Sequence, residues 1–114
     1  MSERTPELLI DDMLTAIDKI TRYTEGMNET RFSADERTVD ATVRNIEILG
    51  EAAGRLPETF RCRYPDVEWN RIRGMRNRIA HAYFGIDLAL VWTIVFNSLP
   101  GLRKQLAGIR KAIT

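Results

Sequence analysis

Eight apolar residues, Leu88, Trp92, Val95, Leu99, Leu102, Leu106, Ile109 and Ile113, follow one another at alternating spacings of four and three. Only an α-helix gathers such positions onto one face, because its repeat of about 3.6 residues per turn lies between the two spacings. The stripe runs straight through Pro100-Gly101, a pair that ordinarily stops a helix. An unbroken face implies an unbroken rod. The sequence therefore predicts a last helix that continues through the proline and is kinked at Pro100, where the carbonyl of Phe96 loses its hydrogen-bond donor.

The rest of the chain reads the same way. Thr5, Pro6 and Glu7 suit the start of a first helix, whose buried stripe is Leu9, Met13, Ile17 and Ile20. Glu25 to Arg31, with Gly26 and Asn28, is the expected connection. Ser33-Ala-Asp-Glu36 has capping-box form and predicts the start of a second helix with Val39, Val43, Ile46, Leu49, Ala53 and Leu56 on its apolar face. Gly50, Ala52, Ala53 and Gly54 make part of that helix thin, which predicts close approach of a neighbour there in preference to a catalytic role for Glu47 or Glu51. Leu56-Pro57 ends the helix, and Pro57 opens a short turn through Arg61. After Tyr64-Pro65, Asp66 is the expected cap of a helix from about Val67, with Trp69, Ile72, Met75, Ile79 and Ala82 inward. Gly85 and Asp87 mark the loop and cap before the last helix. No β-type alternation or internal repeat is present. The fold class expected is all-α, an antiparallel up-and-down bundle of four main helices plus a short helical turn, in one domain spanning residues 1–114.

Composition limits what such a bundle does. The 114 residues are 44% hydrophobic and 29% charged, with a net charge of only +1. A nucleic-acid binder with so small an excess must concentrate its cations locally. Arg71, Arg73, Arg76 and Arg78 do so, with Arg61 and Arg63 just upstream. Cys62 is the single cysteine, so neither an internal disulfide nor a cysteine-rich zinc site is expected. The N-terminus lacks a signal pattern, and Leu88–Phe96, the most apolar run, falls far short of the ~20 residues needed to span a bilayer. A cytoplasmic protein without a membrane segment, metal or cofactor is the expectation.

Gly74 to Tyr83 holds the chemistry. His81 is the only histidine, and with an ordinary imidazole pKa of ~6.5 it is the one general acid/base suited to neutral pH. Arg76 brings a permanent cation with a forked donor set that matches phosphate oxygens. Asn77 and Tyr83 add polar partners. A plain structural reading of the same residues, a capping histidine and a solvated basic face, stands beside the chemical one.

Arg76, followed by Asn77 and spaced from His81 and Tyr83 as R-x4-H-x-Y, resembles the signature of HepT-like toxins of the HEPN superfamily, as do Glu47 to Ala52 and Trp69 to Trp92. The resemblance implies a helical ribonuclease-type domain with catalytic Arg76 and His81, Asn77 in support, and Arg71, Arg73 and Arg78 on the RNA. It implies as partner a minimal nucleotidyltransferase antitoxin that attaches AMP to Tyr83.

On a straight helix Arg76 and His81 lie about 140° apart, so their side chains diverge. A shared site requires that the helix end or distort near Ala80, or that two motifs meet across a symmetric homodimer. The reaction that suits the groups is metal-free RNA cleavage, with His81 taking the 2′-hydroxyl proton and Arg76 neutralising the phosphoryl charge. The alternative is a non-catalytic helical binding or regulatory subunit of a nucleotidyltransferase complex.

Overall fold

The computed structural model describes residues 4–81, of His81 its backbone alone, and 85–114. The architecture is all-α. Helices α1 (Pro6–Thr24) and α3 (Glu36–Arg55) form the most extensive pairing, and α8 (Leu99–Ala112) packs on α1. The short α-helices are α2 (Glu29–Ala34), α4 (Glu58–Cys62), α5 (Trp69–Arg73), α6 (Met75–Ile79) and α7 (Leu88–Thr93), and a π-helical turn lies between α7 and α8. Among the described residues no helix is long and apolar enough to cross a membrane.

The predicted inward faces of the long helices form the core. Leu9, Met13, Ile17 and Ile20 of α1 are buried, as are Val39, Ile46, Leu49 and Ala53 of α3, while Val43 is half-buried against them. Fully burying an aliphatic side chain of this kind contributes about 1.5–3 kcal/mol, so these stripes fix how the long helices face. Thr5 caps α1 as expected, its hydroxyl accepting from the Leu8 amide at 3.2 Å.

The connection before α3 differs from the sequence reading. Asn28 starts α2 early, its Oδ1 accepting from the Arg31 amide at 2.9 Å, and Ser33 lies inside that helix instead of capping the next. Asp35 caps α3 by accepting from the Thr38 amide at 3.1 Å. That bond is the largest cause holding the Asp35 carboxyl below its usual range. The extra helix delivers Phe32, fully buried, to the Trp92 ring with centroids 5.4 Å apart.

Helical structure does continue across Pro100. The irregularity takes the form of a π-helical turn, Ile94–Ser98, in which the Leu99 amide donates to the Ile94 carbonyl five residues back. Widening the turn ahead of a proline relieves the clash between its ring and the carbonyl four residues earlier, here Phe96. The wider turn also shifts the inward face. Val91 is buried before it, Ile94 at its start, and Leu99, Leu102, Leu106 and Ile109 after it, whereas Leu88, Trp92 and Val95 flank the core half-buried. Phe96 stacks on Trp92 at 5.9 Å and is 68% exposed.

Candidate active site

The segment carrying the basic motif is not one helix. Asp66 does not cap this helix: α5 begins at Trp69, with Glu68 at the cap position and no side-chain hydrogen bond there, and the Trp69 amide donates to the Val67 carbonyl at 2.9 Å. Gly74, at φ −89 and ψ 0, separates α5 from α6. Helix α6 then ends at Ile79. Ala80 is extended, with φ −89 and ψ 130, and a two-residue ladder pairs Ala80 with Ile86 and His81 with Gly85. The Asp87 amide donates to the Ile79 carbonyl at 2.7 Å, so the returning chain occupies the helix end. Gly85 has φ 89, in the left-handed region that glycine adopts without strain. Asp87 then caps α7 as expected, Oδ1 accepting from the Leu90 amide at 3.1 Å. Of the two arrangements that could reconcile Arg76 with His81, a helix ending near Ala80 is present.

Helices α5 and α6 lie along α3. A methyl group placed on Gly50 would sit 3.1 Å from the Ile72 carbonyl oxygen and 3.5 Å from that of Arg73, so the predicted close approach at the small residues occurs there. Trp69, Ile72, Met75 and Ile79 face inward and are buried, which turns Arg71, Arg73, Arg76, Asn77 and Arg78 to the surface. The amphipathic pattern that makes these helices pack is thus what exposes their cations.

Arg76 does not stand free. Its Nε lies 3.2 Å from Oε1 of Glu47 on α3, and Glu47 also faces Arg44 at 3.7 Å. Arg76 remains 61% exposed while Glu47 is 32% exposed, so the carboxylate sits at the foot of the guanidinium and leaves much of the fork open to solvent. Close packing at Gly50, expected in preference to a role for Glu47, occurs together with this pairing of Glu47. The available signal was its spacing: residues 47, 50 and 54 lie on one face of α3, the face that meets the basic segment. Arg71 pairs with Glu68 at 3.6 Å, and both are exposed. Arg73 packs over Gly54, its Nε 3.5 Å from where a β-carbon would stand.

Tyr83 and the inward position expected for Ala82 lie outside the described residues, and of His81 only the backbone is described. Among the described residues no group of three or more His, Cys, Asp or Glu side chains is placed to hold a metal ion.

A family model described as Ribonuclease HepT-like matches residues 13–109, most of the chain, from within α1 to within α8. The chain belongs to the ribonuclease HepT-like family. Relatives of this family cover nearly its full length. A protein of Methanocaldococcus jannaschii named "Putative RNase MJ0127" is 34% identical over 113 residues, 99% of this chain and 93% of its own. One of Thermococcus cleftensis named "Probable ribonuclease HepT" is 31% identical over 96% of this chain and 99% of its own. Another, from Caldanaerobacter subterraneus subsp. tengcongensis and named "Putative RNase TTE0752", is 32% identical over 93% of this chain and 95% of its own. No solved structure gives a match.

Proposed function

We propose that the chain is a single HEPN-like domain that cuts RNA without a metal ion, by attack of a ribose 2′-hydroxyl on the adjacent phosphate. The observation that carries this reading is the end of α6 at Ile79 in a member of a ribonuclease family. With Ala80 and His81 extended, the backbone of His81 no longer continues the helix that presents Arg76, so the angle expected of a straight helix does not apply, which supports a shared site.

His81 takes the 2′-hydroxyl proton as the O2′–phosphorus bond forms. Arg76 neutralises the charge that builds on the non-bridging oxygens, and Asn77 orients the phosphate. The bond to the 5′-oxygen breaks and the imidazolium returns the proton to it, leaving a 2′,3′-cyclic phosphate and a 5′-hydroxyl. Arg71, Arg73 and Arg78 hold the flanking strand. The exposed fork of Arg76 supports its part, because a guanidinium held by one edge keeps its remaining donors for an incoming phosphate.

The same reading makes the chain the toxin of a cytoplasmic toxin–antitoxin pair, working as a homodimer whose two motifs share one cleft. A minimal nucleotidyltransferase antitoxin transfers AMP from ATP to the Tyr83 hydroxyl, releasing pyrophosphate. The added phosphate places negative charge beside the basic cluster and repels the RNA backbone.

The test is cutting by the purified, unmodified protein in EDTA. RNA should be cut and a DNA strand of the same sequence left intact, since only RNA carries the 2′-hydroxyl. His81→Ala and Arg76→Ala should each abolish cutting with unchanged thermal unfolding. Cutting that needs a divalent ion, or that consumes DNA equally, contradicts the mechanism.

A further inference from the structure

Arg61, Arg71 and Arg73 come from two different helices, α4 and α5, and line one open cleft of about 730 Å³ together with Glu58 and Glu68. The charges in this cleft are not balanced internally. Arg71 is engaged by Glu68 at 3.6 Å, but among the described residues neither Arg61 nor Arg73 forms an ion pair. The Nε of Arg61 is buried and has no hydrogen-bond partner. Arg61 as a whole is half-buried on the wall of the cleft, where a guanidinium without a carboxylate partner suits a phosphate.

The cleft also has a fixed relation to Arg76. Along α3, Glu47 holds Arg76 and Gly54 supports Arg73. Seven residues of helix separate these two supports, a rise of about 10.5 Å on one face. Arg76 and Arg73 therefore follow α3 in sequence, and Arg73 borders the cleft, an order that suits successive phosphates of a single strand.

We propose that this cleft is a second phosphate subsite, in which Arg61 and Arg73 hold a backbone phosphate of the RNA strand flanking the one that faces Arg76. This rests on the ribonuclease reading for its ligand, and on the cleft's own charges for its chemistry. Arg61 adds a residue outside the basic segment to the strand's path. The subsite supplies binding energy to longer strands and none to the minimal substrate.

The experiment measures affinity for a fluorescent 2′-O-methyl RNA of about ten nucleotides, within the range that strand-tracking grooves cover. Such a strand has no attacking hydroxyl and is not cut. Arg61→Gln should weaken binding about tenfold and lower the salt dependence by about 0.7 in log–log slope, the value of one single-strand phosphate contact. Binding of a dinucleotide, which carries one phosphate, should not change. Arg37→Gln, near the opposite end of α3, is the control for loss of a charge elsewhere. Should Arg61→Gln fail to fold, Arg73→Gln at the exposed neighbour carries the test with the same expectation.

Unchanged affinity for the longer strand, or an equal loss on the dinucleotide, overturns the subsite. So does a variant that keeps RNA affinity but loses binding to polyglutamate, which would make the cleft a contact for an acidic protein. A wild-type protein that cuts RNA while Arg61→Gln binds normally overturns the subsite and leaves the ribonuclease reading. Arg61-dependent binding by a wild-type protein that cuts nothing does the reverse.

Discussion

Arg76 and Glu47, one on α6 and the other on α3, form an ion pair of 3.2 Å that joins the basic segment to the long helix beneath it. An exposed pair of this kind contributes about 0–1 kcal/mol to stability. Its value lies instead in restricting a long, flexible side chain to one direction, which lowers the entropy lost when a phosphate is bound.

Glu47→Ala should therefore reduce kcat/KM on RNA by about tenfold, far short of the loss of cutting expected on removing Arg76, which stabilises the reacting charge. Thermal unfolding should hardly move. Kinetics and calorimetry on the two variants check this, and a Glu47→Ala protein faster than wild type would mean that the carboxylate competes with the phosphate.

Gly50→Ala should destabilise the fold by about 1–3 kcal/mol, as overpacking does, because the added carbon meets the Ile72 carbonyl at 3.1 Å and backbone is slow to yield. Gly108→Ala, in α8 with nothing within 4 Å of the new carbon, should instead stabilise it by up to about 1 kcal/mol. Urea unfolding of both variants tests the contrast. Equal effects would remove the special closeness of α3 to α5.

Arg103 on α8 grips Asp18 on α1 through Nε at 2.8 Å and Nη2 at 3.2 Å, and that hydrogen bond holds the Asp18 carboxyl below its usual range. A depressed folded pKa stabilises above the unfolded value of ~3.9, and the contribution disappears as pH falls through the lower folded value. Both side chains are about half exposed, so the gain is under about 1 kcal/mol. Wild type should exceed Asp18→Asn in urea stability at pH 7 and match it near pH 2. A difference that persisted in acid would assign the effect to packing.

The long helices were legible because burial imposes a period that the sequence carries openly. The faces of α1 and α3 and the caps at Thr5 and Asp87 follow from that period and from local capping chemistry. Less legible was anything decided between elements. Ser33 and Asp35 both suit a cap, and the choice fell to Asp35 once Asn28 had started the helix that buries Phe32. The Leu88, Trp92, Val95 stripe misled by about one position, since a π turn changes the repeat without any mark of its own beyond Pro100. In the candidate site, Arg76 and its exposed neighbours were readable from their spacing. The break at Gly74, the end of the helix at Ile79 and the pairing with Glu47 depend on how α3 and the returning Gly85–Ile86 strand meet the segment.

The central claim is that the strand is broken by its own 2′-hydroxyl. Mass spectrometry of the fragments from a short RNA incubated in EDTA with the unmodified protein tests it most directly. The mechanism predicts that upstream fragments end in a 2′,3′-cyclic phosphate and downstream fragments begin with a 5′-hydroxyl. Fragments carrying a 3′-hydroxyl and a 5′-phosphate would contradict it, because they require water as the nucleophile.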